Sequence, residues 1–178
     1  MARLTTRPQP SSQSIVLGQT SGNPPASSQV EGRQSAIAAS VQKGTLRLLH
    51  HHGFHALTEL TLKTGRRVDI AAMNHKGHIT VVEIKSSLAD FQSDVKWQEY
   101  LPWADRFYFA VPPDFPDHIL PSDQGLIFAD QFGGEIMREA QTNPLTPARR
   151  KALTVLFATT AAKRIFRMHD PDATDSLV

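Results

Sequence analysis

The sequence predicts an α/β domain: a central mixed sheet flanked by helices. Three observations lead there. Apolar residues recur at helical spacing over a long stretch before residue 52 and another after residue 146. Short β-rich runs bounded by turn residues fill the middle. A further helical segment follows the third of those runs, so helices and strands alternate instead of segregating. At 178 residues the chain is one domain with tails, long enough for a full core.

Residues 1–34 read as a disordered tail. Ser, Gln, Pro, Gly and Thr supply 21 of the 34 positions, too polar a mix to offset chain entropy by burial. The domain is expected over 35–168, with a frayed acidic end over 169–178. Its first helix should run from Ser35 to His52, carrying Ile37, Val41, Thr45, Leu48 and Leu49 on one side and stopping at Gly53. His50, His51 and His52 suit the negative end of that helix better than a metal site, because adjacent histidines diverge around the axis. Phe54–Leu62 reads as a strand with Leu57, Glu59 and Thr61 on one face and Thr58, Leu60 and Leu62 on the other. Thr64-Gly65 then turns the chain into Val68–Met73, and Asn74–His78 forms a second hairpin into Ile79–Lys85.

After Lys85, Ser87 is an N-cap with Asp90 three residues on, and one helix is expected to reach Leu101 before Pro102. Phe91 and Val95, with Trp97 or Leu101, would face inward. On that helix Asp94 and Lys96 would point about 200° apart, so the pair could not line one site. Lys96 alone is kept as a contact for phosphate. Arg106–Val111 is a buried strand, Asp114–Leu120 a helical turn, and Leu126–Asp130 with Glu135–Glu139 a strand pair. Thr146-Pro147 opens the last helix, with Thr as N-cap and Pro in the first turn.

Composition limits the chemistry. The formal charge is +2 and the pI near 9.1, compatible with a polyanionic partner. The chain has no cysteine, which excludes disulfides, thiolate zinc and a Cys nucleophile. No apolar run approaches the roughly 20 residues of a membrane span. A cytoplasmic protein with no membrane partner is expected.

The informative stretch is RRVDIAAMNHKGHITVVEIK, residues 66–85. Ile79, Val81, Glu83 and Lys85 share one face of their strand, so a carboxylate and an amine project together from its apolar end. Asp69 on the neighbouring strand can meet them. Two close carboxylates at neutral pH need protons or a cation between them, and Mg²⁺ takes hard oxygen ligands together with substrate phosphate. Asp69, Glu83 and the main-chain oxygen of Ile84 are therefore the expected metal ligands, for Mg²⁺ with Mn²⁺ as a substitute. Lys85 would orient water or offset charge on a phosphate. Glu59 is a further acidic candidate, or else an ion-pair partner of Arg66 or Arg67. Those two arginines are also candidate phosphate contacts. The implied reaction is metal-assisted hydrolysis of a phosphodiester.

The order of helix, Glu59 strand, Asp69 strand and Glu83-Ile84-Lys85 strand resembles the PD-(D/E)XK nuclease superfamily, with Val68 where the superfamily's name has Pro. More narrowly, RRVDIAAM, ITVVEIKSSLADF, KWQEYLPWADRFYFAVP and GLIFAD are similar to the MmcB-like DNA repair proteins of bacteria, over residues 35–168. The resemblance implies a restriction-endonuclease-like core, a Mg²⁺-dependent site at Asp69, Glu83 and Lys85, DNA as partner, and other repair proteins as candidate partners. A homodimer is compatible with it. Three readings stand at this stage: an ordinary ion pair, a silent DNA-binding or protein-interaction module that keeps the fold, and a DNA hydrolase. The last is preferred; against the first, charges inside Val-rich strands are costly unless pairing or function retains them.

Overall fold

The computed structural model describes residues 26–172. A six-stranded mixed sheet runs through it in sequence order: β1 (Phe54–Thr61), β2 (Arg67–Asn74), β3 (Ile79–Ile84), β4 (Arg106–Val111), β5 (Gly125–Ala129) and β6 (Gly134–Arg138). β1, β2 and β3 pair antiparallel, β3, β4 and β5 pair parallel, and β6 returns antiparallel to β5. The fold is the expected α/β arrangement, with α1 (Ala26–His51), α2 (Leu88–Ser93) and α3 (Pro147–His169) around the sheet.

Burial is continuous where strands have neighbours on both edges and layers on both faces. All six residues of β3 are buried, as are the last five of β4. Val41 and Leu49 of α1 pack with Ile70, Val82 and Ala110 on one face. On the other, Phe107 and Phe109 of β4 pack with Trp97, Tyr100 and Leu153. Burying each such side chain contributes about 1.5–3 kcal/mol.

Four expectations change. α1 begins at Ala26, so residues 26–34 belong to a helix and not to the tail; extending a formed helix adds one hydrogen bond per residue fixed. Residues 1–25 and 173–178 of the expected tails lie outside the described residues. The helix expected from Ser87 to Leu101 is broken: α2 ends at Ser93, and a separate 3-10 segment spans Trp97–Trp103. Val95 falls in the gap and is 77% exposed, not inward.

The last change is in β1. Leu57 packs with Leu60 and Leu62, although strict alternation puts Leu57 on the opposite face. Glu59 has φ of +53° and resets the alternation. The same change of face appears on β2, where Val68 joins one core cluster and Ile70 the other.

Two contacts fix the layers. Gly44 of α1 lies against the β5–β6 turn, where an added Cβ would sit 2.1 Å from the Asp130 carbonyl oxygen and 2.2 Å from that of Gly133. Asp105 is 3% exposed. Its carboxylate accepts the N–H groups of Ile79 (2.8 Å) and Leu145 (2.9 Å) and two bonds from Arg150 at 2.6 and 2.7 Å. Burial alone would raise its pKa, but Arg150 and the two N–H groups hold it below the usual carboxylate value.

Gly44→Ala should destabilise the protein by about 1–3 kcal/mol through the forced shift of α1, outweighing the ~1 kcal/mol of helix propensity that alanine adds. Urea unfolding measures it. Asp105→Ala should cost about 3–5 kcal/mol, because Arg150 and two buried N–H groups lose their acceptor. In the wild type, Asp105's contribution is full above its unfolded pKa. It disappears only as acid titrates through the lower folded value, so an Asp105→Ala protein should lose less stability on acidification.

Candidate active site

The site lies where the β2–β3 ladder stops and the β1–β2 ladder is interrupted. The β2–β3 register runs from Met73↔Ile79 to Ile70↔Val82 and then ends. One step further would face Asp69 with Glu83. There Asp69 Oδ2 accepts the Ile84 N–H at 2.8 Å, a side chain standing in for a strand. On its other edge the β1–β2 pairing passes from Thr58↔Ile70 to Leu60↔Val68 and skips Glu59 opposite Asp69. β3 is held from the far side, where the Lys85 N–H donates to the Ala110 carbonyl at 2.9 Å.

The opening is an exposed cleft of about 420 Å³. Asp69, Glu83, Ile84 and Lys85 line it, with Glu59 and Asp90, and α1 supplies Ser35 and Gln42. Lys85 Nζ donates to Glu83 Oε1 at 3.2 Å and to Asp94 Oδ2 at 2.6 Å. Glu83 Oε2 is buried with no partner among the described residues. Burial, then the charge of Asp69, raises the Glu83 pKa to about 8, only partly offset by Lys85. Burial raises Asp69 as well, against the Ile84 N–H and Lys85. Burial would lower Lys85, but Glu83 and Asp94 leave it raised.

Two like-charged carboxyls facing one cleft, one with an unsatisfied oxygen, are a donor set suited to a hard divalent ion. Among the described residues no three His, Cys, Asp or Glu side chains converge as a cation site. The set is thus two carboxylates, with room for oxygen from the main chain, water or substrate.

A family model described as "DNA repair protein MmcB-like" matches residues 25–172. The chain belongs to the MmcB-like family. A solved Silicibacter pomeroyi structure titled "SPO1766 protein of unknown function" superposes with TM-score 0.76 at 43% identity, covering 80% of this chain and 97% of that one. No curated protein matches the chain. Among the described residues no helix is long and apolar enough to cross a membrane.

In this MmcB-like chain Asp69, Glu83, Ile84 and Lys85 come together as expected, and Glu59 stands at the rim, ion-paired with Arg67. Arg66 is engaged elsewhere, in a two-bond pair with Glu99 at 2.7 and 2.9 Å. Lys96 is exposed and does not line the cleft.

Asp94, set aside on the sequence, is in contact with the site through Lys85. It is the residue at which α2 ends, with extended backbone, and its Oδ1 accepts the Lys96 N–H at 2.8 Å. The available signal was Ser93-Asp94 before β-branched Val95: short polar side chains that bond nearby backbone compete with helix. Ser87 is the N-cap that the sequence predicts, accepting the Asp90 N–H at 3.2 Å. Asp90 returns its carboxylate to the Ser86 N–H at 2.9 Å.

The raised Glu83 pKa gives a pH dependence whose sign is fixed. Between the unfolded value and about 8 the folded chain binds more protons than the unfolded one, so metal-free stability should fall as pH rises through that window. The slope is at most about 1.4 kcal/mol per pH unit. Unfolding in EDTA at several pH values should show the decline in wild type and a flatter dependence in Glu83→Gln.

Proposed function

We propose that this chain hydrolyses DNA phosphodiester bonds at the Asp69–Glu83–Lys85 cleft, using Mg²⁺ or Mn²⁺, on a restriction-endonuclease-like core of the PD-(D/E)XK kind. The observation that carries the reading is Glu83: a buried carboxylate keeps one oxygen unpaired beside Asp69, in a cleft open to solvent. The family's description as DNA repair proteins supports DNA as the polyanion.

Asp69 and Glu83 would hold the ion, with the main-chain oxygen of Ile84 as a further donor. A divalent ion, when bound, supplies a Lewis acid for the phosphate oxygens. Asp69 is oriented by the Ile84 N–H, so its second oxygen is directed by the main chain and not by a free rotamer. Lys85 holds an ammonium at the wall of the cleft, where it offsets charge developing on the phosphate. Its 4% side-chain exposure keeps water from screening that charge. Outside the cleft Arg66, Arg67 and Lys96 are the candidate backbone contacts. Arg66 and Arg67 already face Glu99 and Glu59, so each must exchange a partner to reach a phosphate.

Branched, flapped, single-stranded and duplex DNA incubated with Mg²⁺, Mn²⁺ or EDTA test the reading. Cleavage should require the metal, and Asp69→Ala and Glu83→Ala should each lower it by at least about 10²–10³-fold, the scale of losing a principal electrostatic group. DNA binding by gel shift should persist in both variants. Binding without cleavage by the wild type on every substrate would leave a silent DNA-binding module and end the hydrolase reading.

A further inference from the structure

The Lys85 amine has two acceptors of different character. Glu83 Oε1, at 3.2 Å, belongs to a residue that lines the cleft and whose other oxygen is buried with no partner among the described residues. Asp94 Oδ2, at 2.6 Å, does not line the cleft. Asp94 is itself fixed at two points, since its backbone N–H donates to the Phe91 carbonyl at 3.2 Å and its Oδ1 accepts the Lys96 N–H at 2.8 Å, and its side chain is only 17% exposed. One carboxylate oxygen closes a turn, which leaves the other aimed at Lys85. Glu83 must share its charge with whatever enters the cleft, whereas Asp94 need not.

From this geometry we infer that Asp94 is the positioning residue of the site, holding the Lys85 amine against the cleft wall when Glu83 is engaged with a ligand. This rests on the hydrolase reading for its consequence on rate, and on the contacts alone for the placement of the amine. The break after Ser93 that interrupts the expected helix is then part of the site, because a helical Asp94 would carry its carboxylate elsewhere on the helix surface.

Asp94→Asn separates positioning from structure. The amide oxygen can still accept the Lys96 N–H and close the turn, but it cannot also present an anionic oxygen to Lys85. Asp94→Asn and Asp94→Ala should both lower kcat on DNA by about a hundredfold, as misplacement of a reacting group does, with KM within about threefold. A purely structural Asp94 would leave Asp94→Asn at the wild-type rate.

An independent readout is labelling of Lys85 by an amine-reactive ester in EDTA, followed by mass spectrometry. Labelling at Lys85, and not at exposed Lys43 or Lys63, should rise about tenfold or more in both variants, the factor carried by one charge-assisted hydrogen bond. Wild-type rate and wild-type labelling in Asp94→Asn would overturn the inference. A wild type that cuts no DNA would end the hydrolase reading instead, and the labelling alone would then decide whether Asp94 holds the amine.

Discussion

The structure depends on how a sheet of valines and phenylalanines keeps ionisable groups inside it. An unpaired ion moved into such surroundings costs several kcal/mol even after relaxation. Among the described residues two acids are buried, with opposite treatment. Asp105 receives four donors, from Ile79, Leu145 and Arg150, and its pKa is lowered. Glu83 receives one, from Lys85, keeps an oxygen unpartnered, and its pKa is raised to about 8. An unsatisfied buried acceptor costs about 1–3 kcal/mol. The first arrangement is what burial for stability looks like. The second gives up stability and lines an open cleft, and that contrast separates the acid of the candidate site from the structural one.

Placement of the cleft follows from the sheet. Strands β3 and β4 are buried on both faces, and their parallel register continues to Glu83↔Phe109 and Ile84↔Ala110. Aromatic packing among Phe107, Phe109 and Trp97 backs that side. β3 is therefore held on that side where it presents Glu83, with Lys85 just past its end. On the β2 side the main-chain ladder has already ended, so the opening forms between a fixed strand and one that turns away. Tyr100 holds β2 as it departs, its hydroxyl donating to the Arg67 carbonyl at 3.2 Å.

What could be read from sequence was what local periodicity controls. The alternation on β3 places Ile79 and Val81 in one cluster and Val82 and Ile84 in the other, as expected of a strand with regular neighbours. The Asn74 turn and the Thr146 cap were legible for the same reason: a side-chain oxygen meets an N–H a few residues on. Periodicity misled where a single residue left the regular backbone. Glu59 reversed the faces of β1, and Asp94 traded helix for a local bond. Neither departure changes the composition of its segment, so a pattern of apolar and polar residues carries no trace of it. Both departures occur at the site, where local preference and global need diverge.

Glu59 also ties the last helix to that site. A glutamate at φ of +53° costs on the order of 1–3 kcal/mol and persists only when its surroundings fix it. Arg164, on α3, donates to the carbonyls of Thr58 at 2.6 Å and Glu59 at 3.2 Å, and Arg67 pairs with the Glu59 carboxylate. The kink is thus clamped from main chain and side chain together. Because it removes the pairing opposite Asp69, it frees that residue to turn toward Ile84 on β3. A helix that begins 57 residues beyond Asp90, the last cleft residue, therefore bears on the geometry of the site through its bonds to Glu59, a point where the sheet departs from regularity.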